Sequence, residues 1–210
     1  MIRIGRLHIL TDSELQSRWS HLDLARAAVE HGAETVQYRR KGSSTRLMVE
    51  EAIALREVCR RRQVPLLVND RVDVALAADA DGAHLGDDDL PIPIARDLLG
   101  PHRLIGGSAD TGAEARARRR DGADYAGIGP VFATSSKRDT GPVLGLEGLA
   151  VAVREAGLPL IAIGGITVEN LSAVLATGVH GVAVLGAVCL SDDPGGVVAK
   201  LREILDRSGR

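Results

Sequence analysis

The chain has 210 residues, 45% of them hydrophobic and 2% aromatic, and its 26 Lys and Arg against 28 Asp and Glu leave a formal charge of -2. That length supports one substantial core, while the near-neutral charge and scarce aromatics remove the positive field and the stacking platforms that nucleic-acid binders need. No apolar run reaches the roughly 18 uncharged residues of a membrane span, the first residues lack the long apolar region of a signal peptide, and neither Cys59 nor Cys189 has a partner at metal-binding or redox-motif spacing. The expectation is a cytoplasmic protein with two buried or half-buried reduced thiols, binding neither nucleic acid nor membrane. A homo-oligomer stays open, because the low aromatic content removes the usual marker of an interface.

Short apolar runs alternate with helical periodicity from end to end. Residues 7–11 read as a strand and 22–30 as an amphipathic helix; the alternation continues with strand 35–39 and helix 46–62, strand 65–69 and helix 73–78, then strand 82–85 and helix 92–98. The second half repeats it: strand 103–107 and helix 113–120, strand 124–129 and helix 146–155, strand 160–164 and helix 168–176, strand 181–185 and helix 196–205. A weak repeat punctuates the series at His31-Gly32-Ala33-Glu34, Asp81-Gly82-Ala83-His84, Asp121-Gly122-Ala123-Asp124 and Thr177-Gly178-Val179-His180. Each glycine is expected to end a helix in the left-handed conformation before the next strand begins. Eight strand–helix units with apolar strands predict a closed parallel sheet, an α/β single-domain (β/α)8 TIM barrel spanning residues 1–210. A doubly wound open sheet needs fewer units and a glycine-rich dinucleotide turn, which is missing after the first strand.

In such a barrel the ends of the strands and the loops after them share one mouth. Those positions hold Asp12; Gln37, Arg39 and Lys41; Asn69 and Asp70; Gly86 through Asp89; Ser108; residues 129–137; Gly164 and Gly165; and Leu185 and Gly186. Lys41, Lys137 and Lys200 are the only lysines, and two of them fall in Gly-, Ser- and Thr-rich segments after strands. A compact ammonium there suits a phosphate oxygen. Alternation puts Gln37 and Arg39 on one face and Val36 and Tyr38 on the other, so the first pair with Lys41 can hold a heterocycle edge and an anion. Asp70 and Asp89, at the ends of neighbouring strands and without His or Cys ligands, suit Mg2+ bridging a diphosphate. One of Asp87, Asp88 and Asp89 is also expected to cap the following helix. The loop 129–141, with its hydroxyls and Lys137, reads as an anion-binding lid, and Gly164-Gly165 with Leu185-Gly186 occupy the usual backbone phosphate site of barrels. No nucleophile with a paired base stands out, and His84 is as well explained by structure as by catalysis. Loss of pyrophosphate from one substrate, with capture of the resulting cation by another, needs none.

Six ordered blocks resemble the thiamine-phosphate synthase family across nearly the whole chain: Gln37-Tyr38-Arg39-Arg40-Lys41; Val68 through Asp73; Gly82 through Gly86 with Asp89-Leu90-Pro91; Asp124-Tyr125 leading to Gly129-Pro130-Val131-Phe132; Thr134 to Lys137; and Ile163-Gly164-Gly165-Ile166. The resemblance implies condensation of hydroxymethylpyrimidine diphosphate with a thiazole phosphate, carboxylated or plain, to thiamine phosphate and pyrophosphate with Mg2+. By position it implies that Gln37, Arg39, Lys41, Asn69, Ser108 and Lys137 hold the pyrimidine diphosphate, with Arg39, Lys41, Lys137 and Ser108 as the catalytic set. Asp70 and Asp89 would hold the metal, and Thr134, Ser136, Gly165, Leu185 and Gly186 the thiazole phosphate. The family's Gln is Asp87 here, a second Thr is Ser136, a frequent Ser is Gly186, and a common Leu is Tyr38, which should face away from the ligands. A TenI-like thiazole tautomerase shares the fold but carries a catalytic His where this chain has Pro130 and often lacks the acid that is Asp70. A non-catalytic phosphate-ligand sensor on the same barrel is the alternative from another class.

Overall fold

In the computed structural model, which describes residues 3–134, 136 and 141–209, strands and helices alternate from the first strand to the last. The elements are β1 Leu7–Thr11, α1 His21–Glu30, β2 Thr35–Tyr38, α2 Thr45–Arg61, β3 Leu66–Asn69, α3 Val72–Ala77, β4 Gly82–Leu85, α4 Ile92–Leu99 and β5 Leu104–Ala109. They continue with α5 Gly112–Arg120, β6 Tyr125–Ile128, α6 Gly145–Ala156, β7 Leu160–Ala162, α7 Leu171–Ala176, β8 Gly181–Val184, α8 Gly186–Cys189 and α9 Pro194–Arg207. The strands pair in parallel in sequence order, and β8 closes on β1. This is the (β/α)8 barrel expected from the sequence. Most boundaries move by one or two residues, but α7 starts three residues late because the Asn170 side chain accepts from Thr167 N at 2.9 Å and gives to Gly165 O at 2.9 Å, holding a turn instead. The four-residue α8 is an addition, too short to show a period.

Strand parity sorts the core into two layers. Leu7 and Ile9, Val36 and Tyr38, Leu66 and Val68, and Ala126 and Ile128 face outward into the main core, against helix residues such as Ala25, Leu55 and Leu149. Complete burial of a leucine there contributes roughly 1.5–3 kcal/mol. The inner face holds a second, smaller cluster of Leu10, Leu67, Leu104, Tyr125, Ile161 and Ala183. Cys59 and Cys189 are buried, and burial pushes both thiols up to about 12.

The helix-to-strand turn recurs, though one copy differs from the expectation. Gly32, Gly122 and Gly178 take positive φ, but Gly82 lies in β4 and the left-handed residue of that turn is Asp79, as Gln63 is before β3. The turns close the same way: Ala33, Val64, Ala80 and Ala123 each donate to the carbonyl five residues back at 2.9–3.0 Å. Gly82 is small for another reason, since a Cβ there would run into the Leu104 backbone of the next strand. The same turns bring carboxylates to the bottom rim. Glu34, Asp81 and Asp124 accept from the backbone N–H of Arg6, Leu66 and Ile105 at 2.6, 2.9 and 2.7 Å. Each also meets an arginine of an outer helix, Arg202, Arg56 and Arg96 respectively. The rim away from the mouth thus carries three structural ion pairs on its first six strands.

Candidate active site

The mouth is built from the strand ends. Asp12 follows β1 and is 1% exposed; one carboxylate oxygen accepts from Glu14 N at 2.7 Å and Leu15 N at 2.9 Å, and the other pairs with the Arg39 guanidinium. Arg39 follows β2, its backbone N–H on Thr11 O at 3.1 Å, which prolongs the strand pairing and aims the side chain inward. Gln37 lies two residues deeper on the same face and is buried, while Tyr38 points outward and donates to Glu51 of α2 at 2.5 Å. The alternation expected of this strand therefore holds.

At the end of β3, Asn69 is half-buried and Asp70 turns into the left-handed region at φ 66, with its N–H on His84 O at 2.8 Å. A non-glycine residue there is strained and marks a position whose side chain direction matters. The Asp70 carboxylate receives the Lys41 ammonium and lies in hydrogen-bonding reach of Asp89. Asp89 in turn accepts from Gly86 N at 2.6 Å. Burial, and then contact with Asp70, raise the Asp89 pKa against the opposing pull of the Gly86 N–H. Two carboxylates from consecutive strands thus meet, as the sequence suggested. No aspartate caps α4, however: Pro91 holds that position, Asp89 reaches back to Gly86, and Asp87 pairs with Arg118. Among the described residues no group of three or more His, Cys, Asp or Glu gathers as a protein cage for a metal. A pair of hard oxygens fits Mg2+, which keeps water and substrate oxygens for its other positions.

Beneath the carboxylates runs a polar chain that sequence reasoning missed. The buried Tyr125 hydroxyl lies beside the Gln37 side chain of β2 and meets His84 Nδ1 of β4 at 3.0 Å, and His84 Nε2 meets Ser108 Oγ of β5 at 3.2 Å. Burial raises the Tyr125 pKa, so the phenol stays protonated. Gly106 and Gly127 clear the space: a Cβ on the first would strike Tyr125 and His84, and on the second would lie 2.9 Å from His84 Cε1. Glycines at inward positions beside an inward tyrosine were the available signal. Below them the ring of His8, centred 5.4 Å from that of Tyr125, is fully buried, and desolvation lowers its pKa to about 4.

On the opposite side the segment after β6 crosses the end of β7. Val131 N and Phe132 N donate to Ile163 O and Gly164 O at 2.9 and 3.0 Å. Gly164 and Gly165 have φ 99 and 64, and a Cβ on Gly165 would lie 2.7 Å from Ala133 O. Thr134 Oγ1 accepts from Ser136 N at 3.2 Å, and Ser136 Oγ lies 2.9 Å from where a Cβ on Gly186 would stand. Leu185, half-buried against the inner cluster, precedes α8. The structure thus brings Thr134, Ser136, Gly165 and Gly186 to one side and Gln37, Asn69 and Ser108, with the Arg39 and Lys41 cations, to the other. Lys137, and with it part of the expected lid, lies outside the described residues.

A family model described as thiamine monophosphate synthase matches residues 7–188. The chain belongs to the thiamine monophosphate synthase family. Membership makes it an enzyme of the transferase class. A thiamine-phosphate synthase of Chloroflexus aurantiacus is 48% identical over 95% of this chain and 92% of its own, and one of Salinibacter ruber is 48% identical over 97% and 89%. The solved thiamine phosphate pyrophosphorylase of Pyrococcus furiosus superposes with a TM-score of 0.88 at 40% identity, covering 98% of this chain and 97% of that one. A 3-hexulose-6-phosphate synthase shares the barrel alone, at TM-score 0.68 and 19% identity over 95% of this chain and 99% of that one. Among the described residues no helix is long and apolar enough to cross a membrane.

Proposed function

We propose that this family member joins hydroxymethylpyrimidine diphosphate to a thiazole phosphate, carboxylated or plain, and releases pyrophosphate, with Mg2+ held by Asp70 and Asp89. The observation that carries the reading is the meeting of those two carboxylates at the ends of consecutive strands, with Lys41 on one of them. Mg2+ bound there supplies neutralisation of the diphosphate charge. The rest falls to the chain's own groups. Lys41 exchanges Asp70 for diphosphate oxygens, Arg39 stays anchored on Asp12 and offers its remaining N–H groups to them, Lys137 adds a third cation, and Gln37, Asn69 and Ser108 hold the pyrimidine. Thr134, Ser136 and the backbone at Gly165, Leu185 and Gly186 hold the thiazole phosphate.

The bond from the pyrimidine methylene carbon to the diphosphate oxygen breaks, the thiazole nitrogen bonds that carbon, and pyrophosphate leaves; with a carboxylated thiazole the C–CO2 bond then breaks as well, its electron pair returning to the ring as CO2 departs. No protein nucleophile is required, and neither cysteine offers one, since both thiols are buried and held protonated. Positioning and charge neutralisation carry the rate. Asp70 and Pro130 separate this reading from a tautomerase. Its phosphorylated small-molecule substrates fit a cytoplasmic enzyme. The test follows thiazole phosphate by mass spectrometry with and without the pyrimidine diphosphate: thiamine phosphate formed only with both supports the synthase. An isomerised thiazole without coupling would favour the tautomerase, and binding without conversion the sensor.

A further inference from the structure

We infer that Arg118 is a positioning residue of this site, tying the acidic turn of Asp89 to the end of β5 and holding the Asp87 charge away from the carboxylate pair. The inference rests on the metal assignment above. Arg118 belongs to α5 on the outside of the barrel, yet its guanidinium reaches the mouth. Its Nε donates to Ser108 O at 2.8 Å, and its Nη2 pairs with Asp87. The stem passes over Gly107, where a Cβ would come within 3.1 Å of Arg118 Cγ and Cδ and 2.9 Å of Ile92 Cδ1. The missing side chain at 107 is therefore what lets the arginine through.

The pair is unequal: the Arg118 side chain is 21% exposed and that of Asp87 70%. An ion pair this open adds little to stability, so its consequence lies in where it leaves the charge. The turn is clamped at both ends, by Asp89 on Gly86 N and by Asp87 on Arg118. Without Arg118 a third carboxylate, two residues from Asp89, is loose at the place where the diphosphate's negative charge must settle. Repulsion there weakens the charged substrate. The Ser108 carbonyl loses a donor in the same change.

The experiment compares Arg118→Gln, Asp87→Asn, the double variant and Arg118→Lys with the unmodified enzyme in Mg2+-dependent pyrophosphate release. KM for the pyrimidine diphosphate and the Mg2+ activation constant are read separately from kcat and from KM for the thiazole phosphate, and melting temperature reports the fold. Arg118→Gln is expected to raise KM for the pyrimidine diphosphate about tenfold with the thiazole KM unmoved. Asp87→Asn in that background should remove most of the loss, and Arg118→Lys, which keeps the charge, should lose less than Arg118→Gln. Unchanged kinetics in Arg118→Gln overturn the inference. So do effects of the two changes that simply add, or a loss across all parameters with a lowered melting temperature that the double variant does not relieve. If the unmodified enzyme shows no Mg2+-dependent turnover, the metal assignment fails and takes the inference with it, which distinguishes the two failures.

Discussion

Asp12 and Arg39 form an ion pair at the rim of the barrel in which the Asp12 side chain is 1% and the Arg39 side chain 15% exposed. Asp12 is fixed by two backbone N–H groups, so the cation it holds is fixed too. A guanidinium parked on a rigid carboxylate reaches an incoming diphosphate with little further ordering, which is how positioning lowers a barrier.

Asp12→Asn should therefore disarm Arg39 without touching substrate. The amide can still accept from the backbone but faces the guanidinium with a donor, and breaking a buried pair costs about 3 kcal/mol. A lower melting temperature and a KM for the pyrimidine diphosphate raised about tenfold are expected from steady-state kinetics. An unchanged KM would show that Arg39 needs no such anchor.

Asp70→Asn and Asp89→Asn should each lower Mg2+-dependent turnover by more than about a hundredfold, as expected when charge-stabilising groups are removed. Asparagine is the better substitute at Asp70 because it tolerates the left-handed backbone. Circular dichroism should report an intact fold. Near-normal turnover in both variants would remove the metal from this pair.

Tyr125→Phe deletes the hydroxyl between Gln37 and His84. The half-buried His84 ring loses a hydrogen-bond partner and the buried Gln37 amide loses a polar neighbour, at about 1–3 kcal/mol, and Gln37 and Ser108 lose their registration. Gly106→Ala should be worse, because its Cβ would collide with Tyr125 and His84 together. Denaturant titration and kcat measured side by side check this; a Tyr125→Phe enzyme with full activity would make the chain of bonds purely structural.

His8 supplies a pH dependence of stability. Its folded pKa lies at about 4 against 6.5, so its neutral form is favoured in the fold, and protonation must first remove it from its buried place. The stability it supports is complete above about pH 6.5 and is lost as pH falls toward 4, by up to about 3 kcal/mol. His8→Gln should flatten that part of a urea-stability profile. An identical slope in the variant would place the acid sensitivity elsewhere.

Much of this was legible in the sequence, and what was not had a physical reason. Short apolar runs located the barrel strands, and alternation along the second set Gln37 and Arg39 apart from Tyr38, because both are local properties of the chain. The chain from Gln37 through Tyr125 and His84 to Ser108 spans four strands and exists only once the sheet closes. Arg118 sits in an arginine-rich helix where nothing local separates it from Arg116, Arg119 or Arg120. Gly82 was misassigned for a similar reason: a glycine required by a neighbouring strand looks the same in sequence as one required by a turn.

The central claim, metal-assisted coupling of two phosphorylated substrates at the Asp70 and Asp89 pair, is tested most directly by pyrophosphate release with each substrate and Mg2+ omitted in turn. The account predicts release only when the pyrimidine diphosphate, the thiazole phosphate and Mg2+ are all present. Release from the pyrimidine diphosphate alone, or undiminished release in the presence of excess EDTA, would contradict it.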